Sequence, residues 1–166
     1  MIPGETAASV GAAVLSARMP ELPVALFALL LHFAWEMLQA PLWVGMASIA
    51  HAEGVRICTI AALGDVLITL AAYWSGALAA RSRRWLLAPR RVELVAYMVV
   101  GMLVTIAYEL AATGPLAYWE YSPAQPRLPI LNVGIAPVLQ WLLLPLLTLW
   151  LARTHVLGRI PSGERK

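Results

Sequence analysis

Charge is scarce in this sequence. Only 13% of the 166 residues are Asp, Glu, Lys or Arg, 61% are hydrophobic, and the mean hydropathy is +0.75. A soluble domain carries about 25% charged and about 45–50% apolar residues. The chain therefore reads as a polytopic membrane protein, short enough for one domain. Cysteine is nearly absent: Cys58 stands alone, which excludes an intrachain disulfide and a thiolate metal cage. The start, MIPGETAASVGAAVL, has no Lys or Arg ahead of its apolar part, which argues against a cleaved signal peptide. Internal repetition is also lacking. Residues 22–79 do not align with 92–152, so the two similar halves of an inverted-repeat transporter are not evident. The net charge of +3 implies no nucleic-acid partner, because the basic residues cluster in loops beside hydrophobic spans.

What is present is four apolar stretches, expected as transmembrane helices over 22–44, 55–79, 92–112 and 128–152. Each is about 20 residues or slightly longer, enough for a ~30 Å hydrocarbon core. Residues 1–20 are expected as a tail or short surface helix. The transmembrane domain covers 21–153, and 154–166 is a basic tail. Pro41 is expected to kink the end of the first span, and Pro137 and Pro145 to interrupt the last. Arg81, Arg83, Arg84, Arg90 and Arg91 lie in one loop. Taking that loop as cytoplasmic puts both termini inside and leaves only Arg56 and Arg127 outside. The fold class is thus all-α, with four transmembrane helices and cytoplasmic ends, in the cell inner membrane.

The first span, LPVALFALLLHFAWEMLQ, carries His32, Glu36 and Gln39. On a helix these positions share one face. A charged residue at mid-helix costs roughly 2.5–3.5 kcal/mol on insertion scales, while each Leu, Val or Phe returns about 0.3–0.6 kcal/mol. Glu36 is tolerable only if it faces protein, water or a ligand. Asp65 falls in the middle of the second span, Glu109 near the outer end of the third, Asn132 shallow in the fourth and Gln140 near its middle. All four spans thus aim polar groups between the midplane and the outer surface, which predicts a polar pocket opening outward. Tyr97, Gly101, Thr105 and Glu109 step by four, as do Asp65, Thr69 and Tyr73. Gly64 is expected to admit a neighbouring backbone. Pro137 is expected to free the carbonyl near Val133 as a further pocket ligand. Structural alternatives stand beside each reading: His32, Asn132 and Gln140 as interhelical hydrogen-bonding groups, Glu109 as a boundary carboxylate in headgroup water.

Trp74, Trp85 and Trp150 suit the inner interface. Trp43, Trp119, Tyr118 and Tyr121 suit the outer one. Trp35 and Trp141 lie deeper, either packing or lining a pocket for an apolar ligand. The loop TGPLAYWEYSPAQPRLP reads as an ordered cap or an interfacial aromatic loop, with Glu120 and Arg127 placed to pair. His32 and Glu36 would both face one ion, with Asp65 or Glu109 completing a shell. The spacing is H-x-x-x-E rather than the H-E-x-x-H of a zinc protease, and no metal or cofactor is expected.

The motifs HF-x-WE-x-x-Q in the first span, GD in the second, a Tyr/Pro-rich outer loop and P-x-LQW-x-x-x-P in the last make the chain resemble a group of short bacterial four-span membrane proteins. That resemblance implies an architecture and no activity. The LHFAWE segment (His32, Glu36) with Asp65 or Glu109 and Asn132 or Trp141 is similar to the EXPERA membrane proteins, which include sterol isomerases. The stretch from Glu109 through Trp119 and Tyr121 to Pro129 resembles, loosely, a span end and loop of carotenoid cyclases. These resemblances imply a lipophilic substrate.

The expectation is an integral membrane enzyme or binder for a lipophilic small molecule. Glu36, Asp65, His32 and Glu109 would handle protons. Trp35, Gln39, Trp141, Gln140, Asn132, Trp119 and Tyr121 would contact the substrate. The alternatives are a small proton- or ion-coupled transporter, as a homo-oligomer in the bilayer, and an accessory subunit without catalysis.

Overall fold

The computed structural model describes residues 19–159; the expectations for 1–18 and 160–166 lie outside them. Four helices follow one another: α1 (Glu21–Gln39), α2 (His51–Ala80), α3 (Arg91–Thr113) and α4 (Ile135–Arg159). All four are long and apolar enough to cross a membrane, so the chain is an all-helical multi-pass membrane protein. α1 packs against α2 and α4, and α3 against the same two, closing an antiparallel ring. Leu26, Leu30, Ile60, Leu67, Val95, Leu103, Leu142 and Leu146 stay exposed on the outer faces. A soluble bundle would bury such a surface; here it meets lipid.

At the arginine-loop end, the core is Val24, Ala72, Tyr73, Ala77, Trp85, Leu86, Tyr97, Leu149 and Ala152. Trp85, expected at the interface with Trp74 and Trp150, is instead 4% exposed. Its indole N–H donates to the Tyr73 carbonyl at 3.1 Å. Gly76 makes this fit: a Cβ there would lie 2.7 Å from the Trp85 ring. The loop is tied down further. Arg81 ends α2 in the left-handed region, with Ser82 N donating to the Ala77 carbonyl as in a Schellman turn. Arg83 Nε donates to Glu21 at 2.8 Å, and the Tyr73 hydroxyl donates to the Arg83 carbonyl at 2.5 Å. The Glu21 carboxylate raises the Arg83 guanidinium above its ordinary range. Glu93 accepts from the Arg90 backbone and side chain, capping α3.

At the opposite end, three expectations change. The last span begins at Ile135 and continues to Arg159, rather than covering 128–152. Residues 127–134 form a closed turn, with an Arg127–Gly134 bridge and Asn132 at φ 53°. Asn tolerates that region better than most residues, so the turn takes what looked like the first two helical turns. Pro137 therefore sits in the first turn of α4, where no intrahelical bond is lost. The Val133 carbonyl is not freed; it accepts from Leu128 N at 2.8 Å. Pro145 does lie inside α4. Pro41 opens a 3₁₀ turn, Ala40–Leu42, that ends the first span.

Glycine packing also differs from expectation. Gly64 faces open space, whereas a side chain at Gly101 would overlap the Trp141 ring. Gly101→Leu should therefore cost about 1–3 kcal/mol by overpacking, and Gly64→Leu should be near neutral. Thermal unfolding of both variants in detergent checks this; equal transitions would contradict the packing.

Candidate functional site

The α1 face His32–Glu36–Gln39 turns inward as its spacing predicts, and all three residues are buried. α2 brings Asp65 against it and α4 brings Gln140. The Gln140 amide nitrogen lies 2.7 Å from His32 Nδ1, 2.8 Å from Asp65 Oδ2 and 3.4 Å from Glu36 Oε1. His32 Nδ1 and Asp65 Oδ2 are 3.2 Å apart. Three of the sequence-predicted polar residues, from two helices, thus converge on the amide that a third helix supplies. The imidazole is fully buried, while the Asp65 side chain keeps 16% exposure.

The direction of these hydrogen bonds follows from their outermost member. The Trp35 indole N–H donates to Gln39 Oε1 at 3.0 Å. An indole can only donate, so it fixes the Gln39 amide with its nitrogen inward. That nitrogen donates to Glu36 at 2.6 Å and to Gln140 Oε1 at 3.5 Å. Gln140 in turn points its own nitrogen at His32 Nδ1. His32 Nε2 faces Thr69 Oγ1 at 3.5 Å, and a hydroxyl serves that nitrogen in either tautomer. If Nδ1 bore only a lone pair, it and an ionised Oδ2 would be two acceptors 3.2 Å apart. That contact is favourable only with a proton between them, which takes the one site on Nδ1 and leaves the two Gln140 N–H groups to Asp65 and Glu36. The geometry thus calls for a proton shared by His32 and Asp65. Gln140, read from sequence as interhelical glue or a contact residue, is the hub.

Glu109 and Tyr121 form a neighbouring pair. Glu109 is buried on α3, and the Tyr121 hydroxyl donates to it at 2.5 Å. Burial, then this hydrogen bond, raises the Tyr121 phenol above its ordinary range. The Glu109 charge acts on Glu36, and the Asp65 charge acts on Glu109. Tyr121 is held by the cap. It forms an antiparallel bridge with Trp43 and stacks on that ring at 5.0 Å, and Ser122 N donates to the Leu42 carbonyl at 2.9 Å. The 114–134 loop is thus ordered over this end. Arg127 does not pair with Glu120; its guanidinium donates to the Tyr121 carbonyl and lies over the Tyr121 ring.

The remaining predicted residues divide. Trp141 is fully buried, its ring against His32 at 5.7 Å and its indole N–H without a partner. Trp119 and Asn132 are not in the cluster; with Tyr121, Glu120 and Arg127 they line a recess of about 540 Å³ beneath the cap. Asn132 lies outside the membrane helices because of the turn described above. The recess is not lined by His32, Glu36 or Asp65. Gln125, which no sequence pattern flagged, is buried in that cap with both amide atoms unpartnered. Among the described residues, no three His, Cys, Asp or Glu side chains are arranged to hold a metal ion. The amide nitrogen of Gln140 sits at the point of convergence.

Gln140→Leu keeps approximate volume and removes the shared donor. Leaving buried acceptors unsatisfied costs about 1–3 kcal/mol, so the variant should unfold earlier in detergent than wild type. An unchanged transition would remove Gln140 from this role.

No protein-family model, curated protein or solved structure matches this chain, and its functional reading rests on the geometry of the cluster.

Proposed function

We propose that this is an inner-membrane protein that performs acid–base chemistry on a lipophilic small molecule. The single observation that carries this reading is the 3.2 Å His32–Asp65 contact oriented by Gln140. A paired, mostly buried acid and base inside a bilayer is costly as mere packing, since a Gln or Ser would join helices without ionisable chemistry. Asp65 is the partly exposed member of the pair, so it is the group that meets the substrate. His32 holds or returns the shared proton. Glu36 lies close enough to stabilise a developing cation. The unpartnered Trp141 N–H, beside His32, offers a donor to a substrate oxygen. The arginine loop and both termini are cytoplasmic in this reading, which places the cluster's Glu109–Tyr121 side outward.

One observation favours a second reading, proton- or ion-coupled transport. Toward the arginine end, Thr69 and Tyr73, which step by four from Asp65, are both buried one helical turn apart. Tyr73 continues to Arg83 and Glu21. Such a line is the kind of path that a coupling proton would use.

Extraction and mass spectrometry of the purified protein test the first reading. A lipophilic molecule should travel with wild type and be lost from Glu36→Gln and Asp65→Asn. Finding none with wild type, with no phenotype in either variant, would overturn it. Proton uptake into vesicles carrying wild type but not Asp65→Asn would favour the second.

A further inference from the structure

A second feature lies away from the cluster, on the lipid side of α3. Arg91, Val92, Val95, Ala96, Val99 and Val100 line a shallow groove of about 380 Å³. Its floor is small and β-branched, with no polar side chain below Arg91. We propose that this groove is a binding site for one anionic glycerophospholipid, with an acyl chain along α3 and the phosphate at Arg91.

Two independent observations select this occupant. The first is length. Nine helical steps separate Arg91 from Val100, about 14 Å along the axis. One leaflet of a ~30 Å hydrocarbon core is about 15 Å deep. The groove thus matches the reach of a single leaflet's chain from headgroup level to midplane. The second is charge. Residues 81–91 contain five arginines and no acid. Arg83 is engaged by Glu21 and Arg90 by Glu93. Glu93 is the acid nearest to Arg91 in the sequence, and it already pairs with Arg90. Among the described residues, none forms an ion pair or side-chain hydrogen bond with the Arg91 guanidinium, and Arg91 lines the groove. A free guanidinium at headgroup depth takes a phosphodiester in bidentate geometry.

Native mass spectrometry of the delipidated full chain, titrated with phosphatidylglycerol or phosphatidylcholine, tests the site. Wild type should retain one phosphatidylglycerol in preference to phosphatidylcholine. Arg91→Gln should lower that retention roughly five-fold, the effect of one arginine at an anionic surface. Val95→Trp fills the groove from its exposed side without changing charge, and should also displace the lipid. Arg84→Gln removes the same charge away from the groove and should leave retention unchanged. Equal loss in Arg84→Gln would reduce the effect to loop charge and overturn the site. So would full retention in both Arg91→Gln and Val95→Trp. If those two variants instead convert a dimer to a monomer with lipid retention unchanged, the groove is a contact between copies and the proposal fails.

Discussion

One amide group carries the polar interior of this protein. Gln140 Nε2 reaches His32, Asp65 and Glu36 together, and each of these acceptors comes from a segment that must insert into hydrocarbon. There, an unsatisfied polar group costs several kcal/mol. The four helices can close only in the register that brings α4 to this point. Trp141, the next residue, fixes that register sterically through its ring against His32 and the missing side chain at Gly101. Chemistry and packing are therefore one constraint: the residue that satisfies the acceptors adjoins the residue that sets the α3–α4 approach.

The two ends of the bundle support this interior differently. At the arginine loop, Trp85 enters the core over Gly76, and Glu21 holds Arg83. Side chains seal that end from the loop side. At the other end the seal is a folded cap, with Tyr121 bonded to Glu109 and stacked on Trp43. Tyr121 is the link between the cap and the interior carboxylates. Glu109 is the carboxylate that Tyr121 bonds, and its charge acts on Glu36.

Much of this was legible in the sequence. The four spans and the inward face of His32, Glu36 and Gln39 follow from helical spacing. So does the buried series Tyr97, Gly101, Thr105 and Glu109. Helix periodicity carries such information because the hydrocarbon enforces it. What was not legible depends on contacts between distant segments or on turns. Glu21 and Arg83 are 62 positions apart, and no local pattern pairs them. Asn132 was placed in a helix because the stretch around it is apolar; Pro129, Asn132 and Gly134 were the turn signals. Gln140 was seen, but only geometry shows three acceptors meeting at its nitrogen. Gln125 lies in a loop without periodicity, where burial leaves no trace in sequence.

The central claim is that His32 and Asp65 hold one proton between them inside the bilayer. Solid-state NMR of the protein in lipid, with labelled histidine and aspartate, reads both groups at once; Asp65→Asn assigns the carboxyl signal. The account predicts that at neutral pH either the Asp65 carboxyl is protonated or His32 Nδ1 carries a proton. A His32 ring protonated at Nε2 alone beside an ionised Asp65 carboxylate would contradict it.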